Sequence, residues 1–238
     1  MTVPTLNYRS AYQPFAGKTT GWLAMDTAEK YLQNLKDRRQ ELIDNGWIDN
    51  YFTYKFNSRG FRCEEFTTDP TIMFLGCSLT CGIGLPVETI WPEQVSKELN
   101  MRCANLGQDG GSADTAFRLC HGWIDQINPK IVVFLQPPGI RWEVVDNNNI
   151  EFLGRQHRQQ SMLPYIHRYI IDDNNNHFNK LKNQLAIESI CASRKIKYLK
   201  LDAMPDFKTT VNKARDLVHP GSQIHDSLAK EVLDKLNW

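Results

Sequence analysis

Residues 71–84 read Thr-Ile-Met-Phe-Leu-Gly-Cys-Ser-Leu-Thr-Cys-Gly-Ile-Gly. A short apolar run ends in a glycine, and a serine stands two positions later. A run of this length without polar alternation describes a strand buried on both faces. The layout puts Ser78 on a turn at the strand's carboxyl end. There a hydroxyl projects into the crevice above the sheet, and neighbouring backbone N–H groups can face a developing oxyanion. Ser78 is the candidate nucleophile. The competing reading is a G-x-S-x-T turn that only closes a loop and caps the next helix.

Working outward, similar apolar runs recur at Arg102–Leu106, Lys130–Leu135 and Lys197–Leu201. Amphipathic stretches of helical length lie near Trp91–Leu99, Ser112–Gln126, Phe178–Lys195 and Ser222–Leu236, with Ser112 and Ser222 placed as N-caps. Strands alternating with helices predict parallel pairing and crossover helices, hence a three-layer α/β/α sandwich over residues 70–238. Residues 1–69 read as an extension packed on it. Asp26–Asn45 is an amphipathic helix stopped by Gly46, and Tyr54–Phe56 and Phe61–Cys63 flank a polar turn that would fold them back as a hairpin. Between Asp146 and Asn176 lies a polar stretch with two asparagine triplets, too long for an ordinary connection. It is expected to be a lid or a surface for a protein partner or self-association.

The composition narrows the function classes. Hydrophobic residues make up 41% and charged residues 23%, enough for a packed core and unlike a disordered tail or a fibre. With 28 Lys+Arg against 27 Asp+Glu the net charge is +1, so no long-range field steers the chain onto nucleic acid or an anionic membrane. No run of about 18 apolar residues occurs and Met1–Tyr12 lacks a signal-peptide pattern, so no membrane span and a cytoplasmic location are expected. Six cysteines then read as reduced, mostly buried thiols. Cys77 and Cys81 have no second pair or histidine set at zinc-like spacing, so no metal is expected. His157, His167 and His177 fall in or beside the insertion and read as exposed side chains; Trp91 and Trp142 read as packing residues near the site.

Two further segments join the serine. In Asp216-Leu-Val-His-Pro-Gly221 the acid precedes the histidine by three residues, just ahead of a helix. That spacing lets the carboxylate reach imidazole Nδ1 and leaves Nε2 free to take a serine proton. His219 is the candidate base and Asp216 its orienter; the plainer reading is a turn-shaping Asp beside a surface His. Asn105-Leu-Gly-Gln-Asp-Gly-Gly-Ser112 follows the second strand, and its glycines let the backbone approach a ligand closely. Gly110 is the preferred N–H donor, with Gly107 next. No G-x-G-x-x-G or P-loop lysine is present, which leaves a nucleotide-binding reading far behind.

These three pieces, in this order, resemble the SGNH (GDSL) hydrolase superfamily from about Asn57 to Leu236. Gly76-Cys77-Ser78 stands where the family has G-D-S, Asp216 and His219 match D-x-x-H, and Asn57–Arg62 looks like the leading strand that precedes the first block in many members. The resemblance implies a flavodoxin-like fold and hydrolysis of a small ester, of acyl or acetylated-sugar type, without metal or organic cofactor. The implied roles are Ser78 as nucleophile and first oxyanion donor, Gly110 as second donor, His219 as base and Asp216 as orienter. The chain departs from the family twice. Cys77 replaces the acid, and Leu135-Gln-Pro-Pro-Gly-Ile-Arg-Trp142 stands where G-x-N-D would place an Asn as third donor. Gln136 or Arg141 is then the available substitute. Cys77 is the weaker alternative nucleophile. A non-catalytic member, serving as a binding module of a larger cellular or viral assembly, is the second expectation.

Overall fold

The computed structural model describes residues 8–146, 149–153, 172–202 and 207–237. Most of the expected insertion, including His157, His167 and Arg168, lies outside these residues. In chain order the elements are β1 (Thr19–Thr20), α1 (Ala28–Asp37), α2 (Arg39–Asp44), β2 (Tyr54–Lys55), β3 (Thr71–Leu75), α3 (Ser78–Cys81) and α4 (Trp91–Glu98). They continue with β4 (Arg102–Asn105), α5 (Ala113–Ile127), β5 (Ile131–Leu135), β6 (Trp142–Asp146), β7 (Asn149–Leu153), α6 (Asp173–Ser193), β8 (Lys197–Leu201) and α7 (Ser222–Leu236).

The main sheet is parallel throughout, in the order β4-β3-β5-β8. Numbered by their own succession the strands run 2-1-3-4, the flavodoxin-like arrangement, whose crevice opens where the order reverses, between β3 and β5. Side-chain alternation explains the layers. Met73 and Leu75 face one way and pack with Leu119, Trp123 and Ile124 of α5 and Ile187 of α6. Ile72 and Phe74 face the other way, toward Trp91 and Val95 of α4 and Leu228 and Val232 of α7. The expected α/β/α sandwich is what forms.

Several local expectations are corrected. The amino-terminal helix is two helices broken at Arg38, whose backbone leaves helical geometry (φ −137°, ψ 33°) so that its guanidinium can grip Glu41 and the Leu217 carbonyl. β2 pairs antiparallel with β1, not with Phe61–Cys63. The polar turn still exists, with Asn57 Oδ1 accepting from Arg59 and Phe61 N–H, but it leads into loop. Ser222 is the first helical residue of α7 rather than its cap; Gly221 holds the cap position, and Asn212 Oδ1 takes the Gln223 N–H from a distant loop. Ser112 does cap α5, in a reciprocal pairing with Thr115.

α6 begins five residues earlier than expected and absorbs the second asparagine triplet. Its wheel is inverted: Asn176, Asn179 and Asn183 are buried, whereas Phe178, Leu181 and Leu185 are exposed. Asp114 of α5 explains the inversion, because its carboxylate accepts from the Asn179 and Asn183 amides at 3.0 and 2.7 Å and from the Glu143 N–H. Trp142 Nε1 donates to Asn176 Oδ1, and Arg118 pairs with Glu143 at 2.5 Å, so this polar layer also anchors the base of the β6–β7 hairpin.

Candidate active site

The serine turn is built by close approach. β3 ends at Leu75, and at Gly76 a Cβ would collide with Thr80 Oγ1 and come within 3.0 Å of the Leu135 carbonyl. The chain then turns at Cys77, whose thiol packs into the apolar cluster with Leu79, Trp91, Leu135 and Leu201. Ser78 opens α3, and Gly82 closes it in the left-handed region at φ +78°. The Gly82 and Ile83 N–H groups both donate to the Ser78 carbonyl. At the other end the Ser78 N–H belongs to the first turn and has no intrahelical acceptor.

The acid–base loop is fixed with equal economy. Asp216 Oδ2 meets His219 Nδ1 at 2.5 Å, while Oδ1 accepts the Val218 and His219 N–H groups, each at 2.9 Å. Burial alone raises the Asp216 carboxyl; the His219 side chain and these N–H groups outweigh it and hold the group below the ordinary value. Between the two residues, Leu217 adopts φ +54°, a conformation disfavoured for a branched side chain. Its anchors are the 214–217 turn bond and burial against Tyr31, Leu42 and Trp47. The Phe207 ring lies edge-on to the imidazole at 5.5 Å.

The two loops touch. Arg215 N–H donates to the Gly84 carbonyl at 3.0 Å, and a Cβ on Gly84 would lie 3.5 Å from the Asp216 nitrogen. Ser78 is 1% exposed, Asp216 1% and His219 5%, so each of the three side chains is nearly closed to solvent. The Asp216–His219 pair is formed; no hydrogen bond joins Ser78 to the imidazole.

The Gly107–Gly110 loop lies beside α3. Asn105 accepts the Gly107 N–H at 3.0 Å and donates to the Thr80 carbonyl at 2.8 Å, stapling the loop to the serine helix. Gly110 is left-handed (φ +69°), and the loop is braced from outside by Tyr12 OH on the Asp109 N–H and by Gln108 Oε1 on the Ala11 N–H. Gln136 directs its Nε2 at the Lys180 carbonyl of α6, 3.5 Å away, and leaves Oε1 buried and unpartnered; Arg141 Nη1 is likewise buried without a partner. Trp91 is wholly buried edge-on against Phe74, Trp142 is buried on Asn176, and His177 is exposed. Among the described residues no three of His, Cys, Asp and Glu converge as metal ligands, and no helix is long and apolar enough to cross a membrane.

Sequence reasoning missed the residues behind the site. Arg62, 2% exposed, donates to the carbonyls of Cys81, Gly82 and Leu85, which lie just past Ser78. Asn34, Arg38 and Trp47 bond the carbonyls of Asp216, Leu217 and Lys213. An Arg in the leading segment was a visible signal; nothing in the sequence pointed to its acceptors.

No protein-family model matches the chain, and neither does any curated protein. Among solved structures it is similar to a psychrotrophic esterase, EstA, from Pseudoalteromonas sp., at 14% identity over 71% of this chain and 97% of that one, with TM-score 0.38. It is also similar to a lipolytic protein of the G-D-S-L family from Desulfitobacterium hafniense, at 12% identity over 68% and 97%, with TM-score 0.34. AlinE4, an SGNH-hydrolase family esterase, matches at 16% identity over 73% and 75%, with TM-score 0.36. At these values the likenesses carry no weight for the chemistry, which stands on the residues themselves.

Proposed function

We propose that the chain is a serine hydrolase of SGNH type that cleaves a small ester of acyl or acetylated-sugar type. The observation that carries this reading is the Asp216–His219 pair, locked at 2.5 Å on a loop bonded to the turn that follows Ser78. Asp216 keeps Nδ1 protonated and presents a basic Nε2. His219 takes the Ser78 hydroxyl proton as Oγ attacks the ester carbon, and the oxyanion forms against the N–H groups of Ser78 and Gly110. Collapse expels the alcohol with the proton from His219. Water, deprotonated by the same ring, then releases the acid and frees Ser78. Apo sites often hold the nucleophile and base apart until substrate closes the contact, which accommodates the unformed Ser78–His219 bond.

A non-catalytic role is the second reading, favoured by the 1% exposure of Ser78 and by the absence of a third-donor Asn. Fluorophosphonate labelling read by mass spectrometry separates the two. The hydrolase reading expects an adduct on Ser78, lost in His219→Ala, together with turnover of p-nitrophenyl or acetylated-sugar esters that disappears in Ser78→Ala. Equal rates in wild type and Ser78→Ala sink it, and activity lost only in Cys77→Ala would transfer the nucleophile to the thiol.

A further inference from the structure

We propose that Asp26 is a positioning residue that ties the serine turn to the histidine loop through a closed ring of hydrogen bonds. The carboxylate is 1% exposed and sits outside the α/β core, just before α1. Its Oδ2 accepts from Tyr54 OH at 2.5 Å, and the same phenol oxygen accepts the Gly84 N–H at 2.7 Å. Burial raises the Tyr54 phenol far above its ordinary value, so the hydroxyl stays protonated and remains a donor to Asp26. From the other side Arg215 reaches Asp26 through Nε (3.0 and 3.2 Å) and Nη2 (2.6 Å). The Arg215 backbone N–H then returns to the Gly84 carbonyl at 3.0 Å, which closes the ring.

Two members of the ring make further contacts of their own. The guanidinium lies between the Trp22 and Phe52 rings, 4.2 and 3.9 Å from their centres, with Nη2 also on the Gly21 carbonyl. Gly84 lies close against the histidine loop, since a Cβ there would stand 2.7 Å from the Ala214 Cβ. A forked pairing of guanidinium and carboxylate fixes orientation as well as distance. Buried ion pairs are poor sources of net stability, so register between two loops is the better account of this one. The loops are the two that carry the chemistry: Gly84 is two residues past the Gly82 that closes the Ser78 helix, and Arg215 precedes Asp216. The catalytic arm of the proposal rests on the hydrolase reading; the coupling of the loops does not.

The test uses Tyr54→Phe, which removes the hydroxyl from both Asp26 and Gly84 and leaves the Asp26–Arg215 pair, and Asp26→Asn, in the full chain. Two quantities are measured: the fluorophosphonate labelling rate of Ser78, and amide hydrogen exchange at Arg215, on the loop that Tyr54 does not touch. Misplacement by about 1 Å costs on the order of 10²-fold in such chemistry, so labelling should slow between tenfold and a hundredfold in folded Tyr54→Phe, with Arg215 exchange at least tenfold faster. Unchanged exchange at Arg215, or unchanged labelling despite faster exchange, overturns the proposal. If wild-type Ser78 is not labelled at all, the hydrolase reading has failed and exchange at Arg215 alone decides. If Asp26→Asn does not fold, Tyr54→Phe carries the test.

Discussion

His225 sits one helical turn inside the candidate site's last helix and is 1% exposed. Its Nδ1 accepts the Trp91 N–H at 3.1 Å, the first donor of α4, which has no side-chain cap of its own. Burial, with the charges of Arg62 and His219, lowers its pKa from 6.5 to about 3. The folded value lies below the unfolded one, so the unfolded chain binds the proton first. Stability is complete above about 6.5, falls as the pH drops, and levels off below about 3. Each unit is worth about 1.4 kcal/mol, so lowering the pH from 7 to 4.5 removes stability on the order of 2–3 kcal/mol through this residue. His225→Asn keeps an acceptor at the Nδ1 position without a titrating group. Urea unfolding of both proteins at pH 7, 5.5 and 4.5 checks the magnitude. The mutant should start less stable at neutral pH yet lose on the order of 2–3 kcal/mol less on acidification, since Asp216 and the other carboxylates act equally in both. Parallel losses would refute the assignment of a neutral, proton-excluding His225.

Three other outcomes follow from the geometry. Asp216→Asn should lower ester turnover on the order of 10⁴-fold with little change in unfolding midpoint, because an amide in the same place favours the wrong imidazole tautomer; kcat measured at neutral pH reads it. Gly107→Ala should displace the second donor loop, since its Cβ would stand 2.5 Å from the Cys81 nitrogen and 2.8 Å from the Thr80 carbonyl carbon; slower Ser78 labelling in a protein of native near-ultraviolet dichroism is expected. Asp114→Ala strips the acceptor from two buried amides, Asn179 and Asn183, and should cost about 2–4 kcal/mol by chemical denaturation, whereas an unchanged midpoint would mean the polar layer is incidental.

The inner strands were legible because burial on both faces leaves a continuous apolar run, as in Thr71–Leu75, while Lys197–Leu201 forms within its expected bounds as a half-covered edge strand with Lys197 exposed. α6 was misplaced at its start because the periodicity rule assumes that polar residues face water. Asn179 and Asn183 break that assumption through Asp114, about 65 residues away, and Asn176 does so through Trp142. The partner of β2 was misassigned for a related reason: a turn sequence shows where the chain bends, and Thr19–Thr20 carries little strand signal of its own. At the site, D-x-x-H is local, so spacing alone could anticipate the Asp216–His219 contact. Asp26, Tyr54 and Arg62 act across long sequence separations and look, in one dimension, like ordinary polar residues of an appendage.

The span between Asp26 and Arg215, 189 residues, sets an order of events during synthesis. A nascent chain has made the carboxylate long before the guanidinium that must neutralise it emerges, so the ring cannot close until Arg215, 189 residues later, has been released. Contacts of such range form late and slowly, because the entropy of closing the loop comes before any reward. β3, β4 and β5 all precede Arg215 by about 80 residues or more, so much of the sheet can form while the surroundings of Ser78 are still open, and the Asp26 ring is expected among the last contacts to close.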